Sequence, residues 1–371
     1  MSIKFWPSLE LLTHARIAKG ILYTFDLEDL KRTFLEEVPG YTEYVQEIET
    51  KISEIHLPTY CASFSRLTAA REKSEDVKFV PLPLRVRKQL RGIVIALGLE
   101  IKQWFESHRF IVRGVNHNLR NKLGWFSFGV IDRLETARNF IHDEYWDIGE
   151  RFIFACEYCF EDDLRMLWRN MTTASRRHTL RRLPRTCNMM LWLDSLRSNI
   201  PRNWEEISHN ERYIFFHKNY VGIRGYFPKL RGTQMRCQCI NSALESGVVH
   251  HYDLYSCISL LNTDKLNSIR NCLPISEFCE LFKSFLKWPF QIIFLDVVNY
   301  FEKKISQTVF LGVVTFILKN ELGWRFQDHM YIEIFRTFWN LFSNKYRDGI
   351  KKKAKLYARA THVLESSKHY V

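Results

Sequence analysis

A chain of 371 residues with 46% hydrophobic residues carries enough apolar surface for a buried core, which excludes disorder as its default state. Aromatics reach 15%, whereas 15 Gly and 10 Pro are too few for the turns of an all-β fold. The net charge of +13 narrows the partners to polyanions of some kind: nucleic acid, anionic membrane or acidic protein.

In chain order, Ser8 is placed to cap a helix carrying Leu9, Leu11, Leu12 and Ile17. Asp26 opens a second through Leu27, Leu30 and Phe34, stopping before Pro39 and Gly40. Val45, Ile48 and Ile52 make residues 42–55 a third, amphipathic helix. Over 57–83 the periodicity fades, and Ser74 followed by Pro81 and Pro83 marks a linker or a break between layers. A long helix over 84–108 then begins with Arg85, Arg87, Lys88 and Arg91, where cations oppose the helix dipole. Those four side chains are read as a solvated face, with a polyanion contact as the second reading.

The spacing predicts a helix over 130–142, and Asp147 can cap the next one. Within 152–168, Phe152, Ala155 and Cys156 share one helical face, and Leu164, Leu167 and Trp168 share another. Glu161, Asp162 and Asp163 stand in the first turn of the second helix, where the dipole favours negative charge. So little chain joins the two helices that they must pack antiparallel, and the small Ala155 and Cys156 allow close approach.

The order FIFACEYCFEDDLRMLW resembles the helix pair of an ankyrin repeat, over about half of one repeat. It departs from the family where Cys159 replaces the Gly of the turn, and in lacking a preceding Thr-Pro-Leu-His. A weaker echo runs over 239–261: Ala243 to Gly247 resembles the end of a first helix and its turn, with Leu254, Ile258 and Leu261 on a longer second helix. The resemblance implies a degenerate ankyrin-like array whose helical hairpins bind another protein.

The densest positive cluster follows, with Arg176, Arg177, Arg181, Arg182 and Arg185 interleaved with His178, Leu180 and Leu183. It reads as an exposed loop or helix, a nuclear-import signal or a phosphate-contacting arm, and its five arginines are the candidate partner-binding residues. Helices are expected over 188–196, 204–217, 278–286 and 290–305, with Trp288 and Pro289 as a break. Ser306 should cap a helix reaching Leu318, Gly323 should break it, and 329–342 forms the last strongly amphipathic helix before a basic helix or frayed tail. The uncharged run over 305–318 is 14 residues, short of the ~20 that cross a bilayer.

These elements predict an all-α chain, an irregular α-solenoid or helical-hairpin array, organised as an N-terminal helical segment (1–80), a repeat array (84–344) and a basic C-terminal segment (345–371). Nine scattered cysteines in apolar runs suit reduced, buried thiols and an intracellular location, cytoplasm or nucleus. Cys156 and Cys159 form one C-x-x-C, with Cys237, Cys239, His250 and His251 the nearest further ligands. A zinc site needs four ligands brought together, and the first pair lies on a buried face, so no metal is expected. The chain has no Gly-rich phosphate loop, no G-x-S-x-G and no H-E-x-x-H. The expectation is a non-enzymatic protein-binding scaffold without cofactors, with a nucleic-acid-binding helical array as the alternative.

Overall fold

The computed structural model describes residues 3–25, 39–59, 78–112, 121–182, 187–200, 203–204, 215–322, 329–342 and 344–366. They are mostly helical and fall into two compact units, one of Met1–Pro7, Trp104–Phe126 and Val130–Val371, the other of Ser8–Gln103 and Ser127–Gly129.

The smaller unit begins with α1 (Leu9–Leu22), capped by Ser8, whose Oγ accepts from the Leu11 N–H at 3.1 Å. The helix expected over 26–38 lies outside the described residues. The helix expected over 42–55 starts earlier and ends sooner, as α2 (Pro39–Ser53). Proline fits a first helical turn, where its missing N–H has no partner to lose. α1 packs against α2, and Phe25 meets Tyr44 edge-on at 5.0 Å between centroids. The segment read as a linker over 57–83 carries the one sheet among the described residues, β1 (His56–Thr59) antiparallel to β2 (Lys78–Pro81), with His56 opposite Pro81. At four residues each, these strands are too short for alternation to register in the sequence. The long helix α3 (Leu84–His108) is as expected, and the boundary between the units falls within it.

In the larger unit, Asp132 caps α4 (Arg133–Ile141), accepting from the Leu134 and Glu135 N–H groups. Asp147 caps α5 (Ile148–Glu157), accepting from Gly149 at 3.0 Å. The turn into α6 (Glu161–Asn170) passes through Cys159 at φ 57. The Phe160 N–H reaches the Ala155 carbonyl and the Cys159 N–H that of Cys156, which closes α5 as a Schellman turn on a non-glycine residue. An L side chain in that conformation costs about 1–2 kcal/mol. α5 packs against α4, α6, α7 (Thr173–Arg182) and α8 (Cys187–Ser198).

Of the helix expected over 204–217, Trp204 lies in a turn, 215–218 are helical and 205–214 lie outside the described residues. Short helical turns follow over Tyr220–Gly222, Ile223–Tyr226 and Phe227–Lys229. Here the backbone crosses the end of α5 so closely that a Cβ on Gly222 or Gly225 would strike the carbonyl oxygens of Glu157 and Tyr158.

α9 (Thr233–Ser246) ends on Gly247 at φ 63, and α10 (His251–Ser259) follows. The second helix is shorter than the echo suggested, and Leu261 lies beyond its end. α11 (Thr263–Cys272), α12 (Ile275–Phe285), α13 (Phe294–Tyr300) and α14 (Gln307–Phe316) come next. The helix expected over 290–305 is instead two short 3-10 stretches, Phe290–Ile293 and Glu302–Lys304, flanking α13. Ser306 caps α14 as expected, and a π turn over Ile317–Glu321 continues it; Gly323 lies outside the described residues. α15 (His329–Leu341), α16 (Asn344–Lys351) and α17 (Ala354–Ser366) complete the chain. The basic C-terminal segment is helical over Asn344–Lys351 and Ala354–Ser366 and is anchored through the buried Ile350, Leu356 and Ala360.

A relay of neighbours runs through the second half: α9 packs on α12, α12 on α14, and α14 on α16. Between those contacts, α13 touches both α12 and α15, and α15 touches α17. No described helix is long and apolar enough to cross a membrane.

Candidate functional site

The larger unit has two concentrations of polar side chains, one on the surface of α7 and one buried beneath α4, α5 and α10. The surface group is the arginine cluster. Arg176 turns back onto α6: its Nε donates to the Trp168 carbonyl at 2.9 Å and its guanidinium lies 4.8 Å from the Trp168 ring centre. It thereby satisfies a carbonyl that the end of α6 leaves without a helical partner. Thr179 is buried against Gly149 at the start of α5, which fixes the inner face of α7. Arg177 and Arg181, one turn apart, point to solvent with His178. Arg182 is the last residue of α7, its side chain outside the described set, and Arg185 lies outside the described residues altogether. Of the five candidates, therefore, one is a helix clamp and two form an exposed row.

The buried group is assembled from residues far apart in the chain. Arg133, on the first turn of α4, has its Nε 3.9 Å from Asp253 Oδ2 on α10, and both side chains are almost wholly buried. Arg224 reaches the other Asp253 oxygen at 3.7 Å and Asp132 at 3.2 Å, and its guanidinium lies over the rings of Phe126 and Tyr252. Burial pulls the Arg224 pKa down, but Asp253 and Asp132 more than offset it and hold the group above its ordinary value. Arg133 also donates to Ser107 Oγ at 3.2 Å.

Next to this lattice, His108 Nδ1 donates to the Trp104 carbonyl at 2.6 Å, which leaves Nε2 to accept from the Tyr158 hydroxyl at 2.8 Å. Burial, and then the positive charge of Arg133, lower the His108 pKa to about 3, so the ring is neutral. Burial raises the Tyr158 phenol, which stays a donor. His250 caps α10, its Nδ1 accepting from the Tyr252 N–H at 3.3 Å; burial, followed by Arg133, Lys287 and Arg224, lowers its pKa too. Burial raises Glu157 to about 7. The chemistry of this group is charge pairing in a closed interior.

These shifts set a pH dependence. Between pH 6.5 and about 3 the unfolded chain binds a proton at His108 that the folded chain refuses, and His250 is shifted in the same direction, so the contribution of these two residues to stability falls as pH falls. Glu157 works the other way: its contribution is complete below its unfolded pKa of 4.5 and is lost as pH rises through about 7. The histidines and this carboxyl therefore act in opposite directions between pH 4.5 and 6.5, and below 4.5 Glu157 no longer opposes His108. Replacing His108 with Gln, which can keep both hydrogen bonds, should flatten the dependence by one proton, about 1.4 kcal/mol per pH unit. Denaturant titrations from pH 7.5 to 4.5 check this, and equal slopes for both proteins would refute it.

The cysteines are divided. Cys156, Cys159, Cys239 and Cys257 are free and buried, and Cys279 is free and half-buried. Burial raises the Cys156 and Cys257 thiols and pushes Cys239 up to about 12, and the Cys239 thiol donates to Tyr226 Oη at 3.8 Å. Cys237 of α9 is joined to Cys272 of α11 in a disulfide, against the expectation of reduced thiols. The two residues stand 35 apart, and their meeting depends on how α11 folds back onto α9. Of the further zinc-ligand candidates, Cys237 is thus in the disulfide, His250 caps a helix and His251 Nε2 donates to the Trp288 carbonyl at 2.7 Å.

Sequence reading missed Arg133, Asp253, Arg224, Asp132, His108 and Tyr158. Only Asp132 carried a signal, as a residue of capping type inside the span 130–142 read as helix, where the observed helix starts one residue later. No protein-family model matches this chain, and no curated protein or solved structure matches it either.

Proposed function

We propose that the chain is a non-enzymatic, degenerate ankyrin-like helical array that binds another protein. The observation that carries this reading is the relay from α9 through α12 and α14 to α16, in which each helix packs on the next of its kind with other helices between. Such nearest-neighbour stacking is the construction of a repeat array, whose successive helices offer a continuous binding face. The starts of α12 and α14 lie 32 residues apart, close to the ankyrin period of ~33, whereas α9 begins 42 residues before α12. The left-handed turns at Cys159 and Gly247 give two of the hairpins their sharp reversals. Buried free thiols favour an intracellular location, and the Cys237–Cys272 bond weighs against it.

Affinity capture from the native cell at ~0.15 M salt, with and without nuclease, tests the proposal. A stoichiometric protein that survives nuclease supports it, and recovery of nucleic acid alone refutes it. The nucleic-acid alternative is tested by a salt titration with a labelled single-stranded oligonucleotide. A phosphate-binding groove requires log K to fall with log[salt] by about 0.7 for each phosphate neutralised. Replacing Arg177 and Arg181 with Gln would then flatten that slope by roughly one or two units. With Arg176 committed to α6, the expected result is weak binding that vanishes at physiological salt and is indifferent to the double substitution.

A further inference from the structure

The Cys237–Cys272 bond joins two unequal places. Cys237 lies on α9 and is 7% exposed, whereas Cys272, the last residue of α11, faces solvent. The loop it closes holds the end of α9 and the whole of α10 and α11. Those two helices are anchored very differently. α10 buries His251, Leu254, Cys257 and Ile258 and brings Asp253 into the ionic cluster. α11 has ten residues, of which Leu266 and Ile269 are buried. A helix of that length is marginal in water by itself, so it depends on its attachments. These include its packing on α9, the Tyr300 hydroxyl donating to Asn267 Oδ1 at 3.1 Å, and the disulfide at its last residue. A cystine with an exposed partner is of the labile kind, whereas one sealed in a core resists reduction.

From these placements we propose that Cys237–Cys272 is a reversible redox clasp, whose reduction by a dithiol frees α11 from α9 while the rest of the larger unit stays folded. One thiolate of the dithiol attacks the sulfur of Cys272, the S–S bond breaks, and Cys237 leaves as a thiolate that takes up a proton. The second thiol then attacks its own sulfur in the mixed disulfide, Cys272 leaves and is protonated in turn, and the reductant departs as a disulfide. Two electrons and two protons thus pass from the dithiol to the pair. Attack requires a thiolate, and burial raises the Cys156, Cys239, Cys257 and Cys279 thiols, so exchange with these four does not compete. Once released, α11 bares Leu266, Ile269 and the surface of α9 beneath them. The clasp does not depend on what the chain binds.

The full-length chain, equilibrated in oxidised glutathione, is held at neutral pH with and without dithiothreitol. Alkylation and mass spectrometry read the state of Cys237 and Cys272, and hydrogen exchange reads the amides of 263–272. Dithiothreitol should open the bond without denaturant and speed exchange over 263–272 by roughly thirtyfold or more, the low end of what closing such a loop contributes. Exchange in α12 and α14 should be unchanged. Returning the chain to oxidised glutathione should restore both the bond and the slow exchange. Cys272→Ser should exchange fast over 263–272 in either buffer, and Cys279→Ser should respond as the wild type does. Four results overturn the proposal: a bond that fails to form in oxidised glutathione, one that survives dithiothreitol until the chain is denatured, exchange over 263–272 that reduction leaves unchanged, and acceleration that spreads equally to α12 and α14.

Discussion

Replacing Asp253 with Ala should destabilise the larger unit by about 3–5 kcal/mol, the cost of leaving a buried charge without its partner. Asp253 is 1% exposed and Arg133 3% exposed, so neither group can turn to water for compensation. With the carboxylate gone, Arg133 loses its one ion pair among the described residues and keeps the neutral Ser107 hydroxyl, while Arg224 retains Asp132. The paired change Arg133→Met with Asp253→Leu removes both charges at similar volume and should recover most of the loss, since well-packed apolar replacements of buried pairs are often neutral. Urea titration followed by circular dichroism decides the matter. A loss below about 1 kcal/mol for Asp253→Ala would mean that water reaches the cluster.

Phe140→Ala should cost a similar amount, about 3–5 kcal/mol, by a different mechanism. Its ring is fully buried, stacked at 5.1 Å on Phe154 and 5.4 Å on Trp104, with Trp146 edge-on at 4.6 Å. Rings fixed on three different elements cannot all close on the void, so both the transfer energy and the lost contacts are forfeited. Phe140→Leu fills much of the space and should cost less than half as much. The same titration reads both variants, and near-ultraviolet circular dichroism should lose intensity in the Ala variant as the tryptophans loosen. Equal stability of wild type and Phe140→Ala would place this ring outside the cooperative core.

Local signals in the sequence were reliable where the structure is itself local. The caps at Ser8, Asp147 and Ser306 and the α5–α6 hairpin all follow from residues within a turn or two of one another. The β1–β2 pair was invisible because pairing energy lies between strands, and four-residue strands carry little pattern of their own. Residues 290–305 read as one helix because their apolar content is continuous, yet the chain there breaks into 3-10 turns that hydropathy does not report. The buried ionic cluster was missed for a physical reason: arginine and aspartate read as surface residues, and Arg224 and Asp132 are 92 positions apart. Arg176 misled similarly, since composition distinguishes neither a clamp on a neighbouring helix from a free cation nor one arginine of a run from the next.

The crossing of the end of α5 by Gly222 and Gly225 bears on how this chain can diverge. The atoms that a new side chain would strike are the carbonyl oxygens of Glu157 and Tyr158, which every amino acid at those two positions would present. No compensating substitution at 157 or 158 can make room, so the constraint survives when the side-chain pattern of α5 and α6 has drifted beyond recognition. In a distant descendant of this chain, two glycines three residues apart, following the hairpin, should outlast the aromatic and acidic residues by which the hairpin is now read.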